Sequence, residues 1–437
     1  MSDLRVQPGT APGRVRLTVP GDKSISHRVL LLGALAEGVT TIHGLLRGED
    51  VLHTAEALAG MGVPIGGGLQ TEGPVRVTGV GRQGLRPPCC PLDLGNSGTG
   101  MRLLLGVLAG QNFTATLAGD ASLSRRPMGR VAEPLEMMGA FVDCTGETCT
   151  PPVTVHGGGL GGIHYHSPVA SAQVKSAILL AGLNATGETA VTEPARSRDH
   201  TERMLHAFGA QVEVEGLTVR LQGEPTLRGQ EITVPGDFSS AAFFLVAGCL
   251  LPGTAVTVDN VLLNPTRTGL LEALGRMGAE FKITNVTRVA GEPVGRITAA
   301  SSRLRGAEID GDLIPALIDE VPLLALVATQ AQGETVLRDA AELRVKESDR
   351  LATTAAALTA CGACVETTPD GLIITGPTPL HAAEIDSAGD HRIAMMAAIA
   401  ALLAEGQTVI HGAEMIGTSF PGFAERLREF GAEVETG

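Results

Sequence analysis

Apolar residues along this chain fall into two kinds of run. Dense blocks such as Leu30-Leu31-Leu32-Gly33-Ala34-Leu35-Ala36 read as helices buried on every side. Short alternating stretches such as Arg14 to Val19 read as strands. The punctuation between them repeats. A helical pattern closes on glycine six times, at Met61-Gly62-Val63, Met138-Gly139-Ala140, Phe208-Gly209-Ala210, Met277-Gly278-Ala279, Cys361-Gly362-Ala363 and Phe430-Gly431-Ala432. Each glycine suits the left-handed position that ends a helix. They recur at intervals of roughly 70 to 84 residues, longer than solenoid periods. A second mark is a glycine opening a strand, commonly Gly-x-Thr-x-apolar, at Gly38, Gly187, Gly253, Gly333 and Gly406, with a degenerate copy at Gly110. Each repeat therefore holds helix, strand, helix, strand and one further strand, and six such α/β units make the protein.

Val-Pro-Gly-Asp occurs twice, at Val19 to Asp22 and at Val234 to Asp237. The second copy divides the repeats three and three, which predicts two similar domains. The residues alone leave the N-terminal strand open to either domain.

Polar residues collect where the first helix of each unit begins. In order these are Lys23-Ser24, Asn96-Ser97-Gly98-Thr99 with Arg102, Ser171-Ala172-Gln173-Val174-Lys175, Asp237-Phe238-Ser239-Ser240, Asp319-Glu320 and Asp390-His391-Arg392. Capping accounts for Ser239 and Ser240. It does not account for Lys23, Gln173, Lys175 or Arg392, because a cation in the first turn opposes the helix dipole. Free N–H groups with added cations suit a phosphate or carboxylate. Symmetric packing of the repeats would aim all six starts at one cleft between the domains, a common place for a ligand. The second helices add Arg125-Arg126 beside a helix-initiating Pro127, Arg198-Asp199-His200, and Arg344 to Arg350, where Lys346 and Arg350 are expected to share a helical face next to Glu347.

Composition narrows the ligand. Net charge is −14 over 437 residues, with no tryptophan and one tyrosine, Tyr165. That balance argues against nucleic acid and anionic membranes as partners, so a site for anions must be a local basic island. The four lysines are Lys23, Lys175, Lys282 and Lys346, and three of them fall in the stretches above. No secretory pattern or membrane-spanning run is read, which predicts a cytoplasmic protein. Seven cysteines without framework spacing predict free thiols. Gly79 to Gly84 and Gly157 to Gly162 match a dinucleotide fingerprint, but neither opens a helix, and no P-loop motif is present. Cys361-Gly362-Ala363-Cys364 is one of the helix-ending repeats, hence structural. His164 and His166 could share a strand face but have no third metal ligand nearby.

Six stretches carry a resemblance. They are Pro20 to Arg28, Leu94 to Arg102, Arg126-Pro127-Met128, Ala170 to Ser176, Arg344 to Arg350 and Asp390 to Met395. Together they resemble the 5-enolpyruvylshikimate-3-phosphate synthase family of enolpyruvyl transferases, from Pro20 to Phe423. The resemblance implies an α/β fold of two domains, each of three βαβαββ units in the inside-out α/β barrel of that type. It implies a first domain over 20–235 and a second over 1–19 plus 236–437, with crossings near 19–22 and 234–237. The implied reaction moves the enolpyruvyl group of phosphoenolpyruvate to the 5-hydroxyl of shikimate 3-phosphate by addition and elimination, releasing phosphate, with no metal and no cofactor.

By the same resemblance, shikimate 3-phosphate is held by Lys23, Ser24, Arg28, Ser171, Ala172, Gln173, Arg198, Asp319 and Lys346. Phosphoenolpyruvate is held by Lys23, Gly98, Arg126, Gln173, Arg350 and Arg392. Asp319 resembles the proton acceptor and Glu347 its partner in proton transfer, with Lys23 also in the catalytic set. The chemistry fits these types. Doubly anionic substrates call for arginines, the alcohol needs a base, and the methylene carbon needs an acid. The expected partners are these small anions alone, bound by a monomer. Two departures from the family pattern are Thr418, where many relatives have lysine, and the sequence Arg196 to His200, which lacks a tyrosine found in some members. One rival is the sister transferase acting on UDP-N-acetylglucosamine, but Ala121 to Arg130 lacks its reactive cysteine. Another is a non-catalytic phosphate-ligand binding protein, against which Asp319 and Glu347 speak.

Overall fold

The computed structural model describes residues 3–9, 13–69, 71, 73–146 and 148–437. Residues 1, 2 and 10–12, part of the N-terminal stretch discussed above, lie outside the described residues. The repeat pattern is realised in backbone conformation. All six helix-ending glycines have positive φ, from 75° at Gly431 to 114° at Gly139. The strand-opening glycines Gly38, Gly187, Gly253, Gly333 and Gly406 also have positive φ, between 71° and 98°. The degenerate copy behaves differently: Gly110, at φ −82°, is an ordinary helix cap.

Among the described residues the strands form six four-stranded sheets of one topology, none closed into a barrel. In the second repeat, Leu92–Asp93 runs parallel to Thr114–Ala118. That strand is antiparallel to Thr150–His156, which is antiparallel to Phe141–Thr145. The repeats at the ends of the series borrow a strand from far along the chain. Glu231–Thr233 completes the first repeat beside Glu37–His43. Leu4–Gln7 completes the sixth, lying between Thr408–His411 and Glu433–Thr436. Arg14–Thr18 joins the fourth repeat, parallel to Ala255–Leu262.

The described residues divide into two compact units: an N-terminal unit of 21–234 with 288–292, and a C-terminal unit of 3–9, 13–20, 235–287 and 293–437. Within each unit, the first helices of the three repeats are buried along almost their whole length. In the N-terminal unit these are Lys23–Leu35, Gly98–Ala109 and Ala172–Gly182. In the C-terminal unit they are Phe238–Leu250, Val321–Gln330 and His391–Ala401. A helix that is apolar all round must be covered all round. The sheets therefore sit outside and the helices inside, each buried Leu, Val or Phe contributing roughly 1.5–3 kcal/mol. Close approach of two inner helices depends on Gly106, where a Cβ would lie 2.2 Å from the carbonyl oxygen of Ala177.

Several expectations need correction. Cys144 and Cys149 are not free thiols but form a disulfide. They flank the turn between Phe141–Thr145 and Thr150–His156, and the Thr145–Thr150 pairing brings their Cα atoms to 5.0 Å, within bonding reach. Spacing alone did not reveal that hairpin. Cys89, Cys90, Cys249, Cys361 and Cys364 are free. The helix after Arg126 starts at Gly129 rather than at Pro127. Lys346 does not share a helical face with Arg350: it is extended, with φ −81° and ψ −150°, and the helix begins at Arg350. No helix among the described residues is long and apolar enough to cross a membrane.

Replacing Gly106 with alanine should destabilise the fold by about 1–3 kcal/mol, the usual cost of overpacking. Urea unfolding should show a transition at lower denaturant than in the parent; coincident curves would mean that the inner helices can move apart freely.

Candidate active site

Each unit gathers the N-terminal tips of its three inner helices at one end, joined by side-chain bonds. In the N-terminal unit, Asp22 caps the first helix, its Oδ1 accepting from the Ile25 N–H at 2.9 Å. Lys23 Nζ lies 2.5 Å from Asp50 Oδ2. Arg28 is 3% exposed and crosses to the third repeat. It donates from Nε to Thr201 Oγ1 (2.7 Å), from Nη2 to Ser176 Oγ (2.7 Å) and from Nη1 to the Ser24 carbonyl (2.9 Å). Burial brings its guanidinium down to about 10, against the opposing pull of Glu202 and Asp22. The adjacent His27 is a core histidine. Burial, then the charges of Lys23 and Arg28, hold it well below its ordinary pKa, and Nδ1 pairs with Thr54 Oγ1 at 2.9 Å.

The second and third tips of this unit meet through Gln173. Its Nε2 donates to Thr99 Oγ1 at 2.9 Å, and its Oε1 accepts from Arg102 Nη1 at 2.6 Å. Ser97 caps Gly100, and Ser171 caps Val174, next to Ala172. Arg126 reaches the same place, donating through Nη2 to Asn96 Oδ1. A Cβ on Gly98 would sit 2.9 Å from Arg126 Nη1 and 3.3 Å from Arg102 Nη1, so the glycine leaves room for two guanidiniums. Arg198 is half-buried, close enough to Arg28 to oppose its protonation.

Lys175, singled out as an unexplained cation, turns inward. Its Nζ lies 2.7 Å from Glu193 and 2.8 Å from Glu202, with the ammonium side chain 4% exposed. Burial pushes this amine down, but Glu202 and Glu193 outweigh it, and its pKa ends above the ordinary lysine value.

In the C-terminal unit the tips form a network of opposite charges. Arg350, 1% exposed, donates from Nε to Asp390 Oδ2 (2.7 Å), from Nη1 to Asp319 Oδ1 (3.3 Å), and from Nη2 to Glu347. Burial opposes its charge, yet Asp390, Glu347 and Asp319 together raise its pKa above normal. Arg392 holds Asp319 from the other side. It donates from Nη1 to the Asp319 carbonyl at 3.1 Å and lies 3.5 Å from Oδ2. Asp319 is thus flanked by Arg350 and Arg392, with Glu347 on Arg350 close by. Lys346 immediately precedes Glu347 and is partly exposed.

Ser239 does not supply the cap that its position at a helix start suggests: Asp237 does, accepting from the Ser240 N–H at 3.2 Å. Ser239 instead accepts from Arg267 Nη2 at 2.7 Å and donates to Glu320. Burial raises the Glu320 carboxyl above its ordinary value, with Arg392 and Arg267 pulling the other way.

The structure therefore brings Lys23, Ser24, Arg28, Gly98, Arg126, Ser171, Ala172, Gln173 and Arg198 to the tip end of the N-terminal unit. It brings Asp319, Lys346, Glu347, Arg350 and Arg392 together in the C-terminal unit. Sequence reasoning missed the supporting partners Asp50, Glu193, Glu202 and Arg267, and gave Glu320 no role. Arg102 appeared in a motif without a role. His164 and His166 do share a strand face, with rings stacked at 4.5 Å. Among the described residues, one group has metal-binding donors: Asp199, His200 and Glu292. There Arg203 grips both oxygens of Asp199 (2.9 and 2.7 Å), and His200 Nδ1 bonds Glu292 at 2.7 Å.

Comparison with known proteins points one way. The family EPSP synthase (3-phosphoshikimate 1-carboxyvinyltransferase) matches residues 8–427. The 3-phosphoshikimate 1-carboxyvinyltransferase of Desulforamulus reducens is 54% identical over 416 residues, 95% of this chain and 96% of that one. Its counterpart in Bacillus thuringiensis (strain Al Hakam) is 52% identical over 429 residues, 98% of this chain and 99% of that one. The solved EPSP synthase of Acinetobacter baumannii superposes with a TM-score of 0.89 at 48% identity, covering 100% of both chains.

The Asp390–Arg350 pair gives a pH test. Burial alone would raise the Asp390 carboxyl, but Arg350 overrides it and holds it below its ordinary value of 3.8. A depressed carboxylate stabilises the fold above its unfolded pKa, and that stability is lost as pH falls through the folded value. Asp390→Asn should therefore cost about 3 kcal/mol near neutrality. The gap in melting temperature between parent and variant should narrow below the ordinary carboxylate range. A gap that stays constant down to acid unfolding would contradict the pairing.

Proposed function

We propose a division of roles within this chain, which belongs to the EPSP synthase family and transfers the enolpyruvyl group of phosphoenolpyruvate to shikimate 3-phosphate in aromatic biosynthesis. The observation that carries the division is the contrast between the two tip clusters. The N-terminal unit offers hydrogen-bond donors and cations. The C-terminal unit offers carboxylates held among arginines.

In this reading Lys23, Ser24, Ser171, Ala172, Gln173 and Arg198 hold shikimate 3-phosphate, with Asp319 and Lys346 from the C-terminal unit. Arg28 is enclosed by protein partners, so it contributes its positive charge and its hold on the Ser24 carbonyl. Phosphoenolpyruvate is held by Lys23, Gly98, Arg126, Gln173, Arg350 and Arg392. The contacts from Arg392 to the carboxylates of Asp319 and Glu320, at 3.5 and 3.4 Å, are long enough to be exchanged for a substrate carboxylate.

Asp319 takes the proton of the 5-hydroxyl as its oxygen bonds to the substituted carbon of the enol. Glu347, with Lys23, handles the proton delivered to the methylene carbon. Phosphate then leaves as the methyl carbon gives up a proton, restoring the double bond on the new ether. Two carboxyls in different surroundings can divide acid and base work in this way.

We also read the protein as a cytoplasmic monomer acting on these small anions alone. Light scattering at the mass of one chain tests the monomer.

Asp319→Asn should bind shikimate 3-phosphate within a few-fold of the parent yet lose about 10²–10⁴ in kcat. Intact turnover would remove Asp319 from the reaction. Gly98→Ala should raise the KM for phosphoenolpyruvate by displacing Arg126, and an unchanged KM would show that this glycine does not line the site. Phosphate release with shikimate 3-phosphate, and none with UDP-N-acetylglucosamine, separates the leading reading from the sister transferase and from a non-catalytic binder.

A further inference from the structure

We infer that the buried triad Glu193–Lys175–Glu202 is a positioning element that sets the grip on shikimate 3-phosphate by fixing the Ser171–Gln173 helix tip against the Arg198 loop. The inference rests on the substrate reading above and adds residues that touch no substrate.

Glu193 follows the strand Glu188–Thr192 and is 3% exposed through its side chain. Its Oε1 accepts the backbone N–H of Ser171 at 3.0 Å, and its Oε2 accepts the hydroxyl of Ser197 at 2.8 Å and the Lys175 ammonium at 2.7 Å. One carboxylate thereby ties the residue that caps the third inner helix, the first turn of that helix, and the loop leading to Arg198. Lys175 carries the link onward to Glu202 at 2.8 Å, on the helix His200–Ala207. The neighbouring Thr201 accepts from Arg28 and pairs with Ser176 at 2.6 Å. Both ends of the triad therefore reach groups assigned to the substrate.

Stability alone does not call for ions here. Two carboxylates and an ammonium lose their hydration when buried, and apolar side chains of similar volume are often at least as stabilising. Apolar side chains could not accept the Ser171 N–H and the Ser197 hydroxyl together. A glutamine at 193 could not accept all three donors either, since its amide nitrogen would face one of them. The triad thus supplies register between the helix tip and the loop.

The test is calorimetric titration of shikimate 3-phosphate into Glu193→Gln, with steady-state kinetics and thermal melting of the same protein. We expect its Kd to rise about tenfold, as for loss of one charge-assisted hydrogen bond. The KM for phosphoenolpyruvate and the saturated kcat should stay within about twofold, and Lys175→Arg, which keeps the charge, should retain most of the affinity. An unchanged Kd, or losses in every parameter that simply follow the melting temperature, would overturn the inference. Should Glu193→Gln not fold, Ser197→Ala keeps all three charges and is expected to weaken binding about threefold; no change there overturns the inference as well. Arg198→Ala serves as the control. If it weakens binding while the triad variants do not, the positioning role falls and the substrate reading stands. If it too binds normally, the substrate reading falls and takes the inference with it.

Discussion

Three helices in each unit have no polar side, and that constraint organises everything else. Phe238 to Cys249, for example, is buried at every position. Such a helix can present polar chemistry only at its ends. At the N-terminal end its first N–H groups lack intrahelical partners and the dipole is positive, so an anion is favoured there without further help. The same field repels cations. Several cations at the tips accordingly have an acid close by: Lys23 with Asp50, Lys175 with Glu193 and Glu202, and Arg392 with Asp319 and Glu320. The sites are assembled from charges that would not stay in place singly.

The two units use this arrangement differently. In the N-terminal unit the tips are linked through neutral groups, Thr99, Gln173 and Asn96, and the guanidiniums of Arg102 and Arg126 are packed around a missing side chain at Gly98. In the C-terminal unit, Asp319, Glu347 and Asp390 share Arg350, and Glu320 is held by Ser239 and Arg392. There the arginines restrain the acids.

Much of this was legible in the residues because it is local. A glycine after Met138 or Phe430 ends a helix for reasons contained in its own backbone, and six such glycines reveal six repeats. The tips were legible for the same reason, since Asp22, Ser97 and Asp390 cap the turn they begin. Partnership was not legible. Nothing near Lys175 in the sequence announces Glu193 and Glu202, so a structural ammonium looked like a ligand for anions. Ser239 had the form of a cap, but Asp237 took the cap and left the serine to a buried network. The Lys346 stretch has helical spacing, yet its residues lie in a single short turn and an extended segment before Arg350. The Cys144–Cys149 link depends on a hairpin turn that spacing rules for disulfide frameworks do not address.

The borrowed strands bear on how the protein is made. Leu4–Gln7 leaves the ribosome long before Thr408–His411 and Glu433–Thr436, the strands it must pair with. At ordinary translation speeds of about 5–20 residues per second, that wait is on the order of 20 to 80 seconds. The unit that begins later in the chain, at residue 21, acquires its last sheet strand at Glu231–Thr233, while the other is still largely unsynthesised. Maturation is thus vectorial but out of order. Throughout the interval, the nascent chain carries an unpaired strand edge of the kind that templates aggregation.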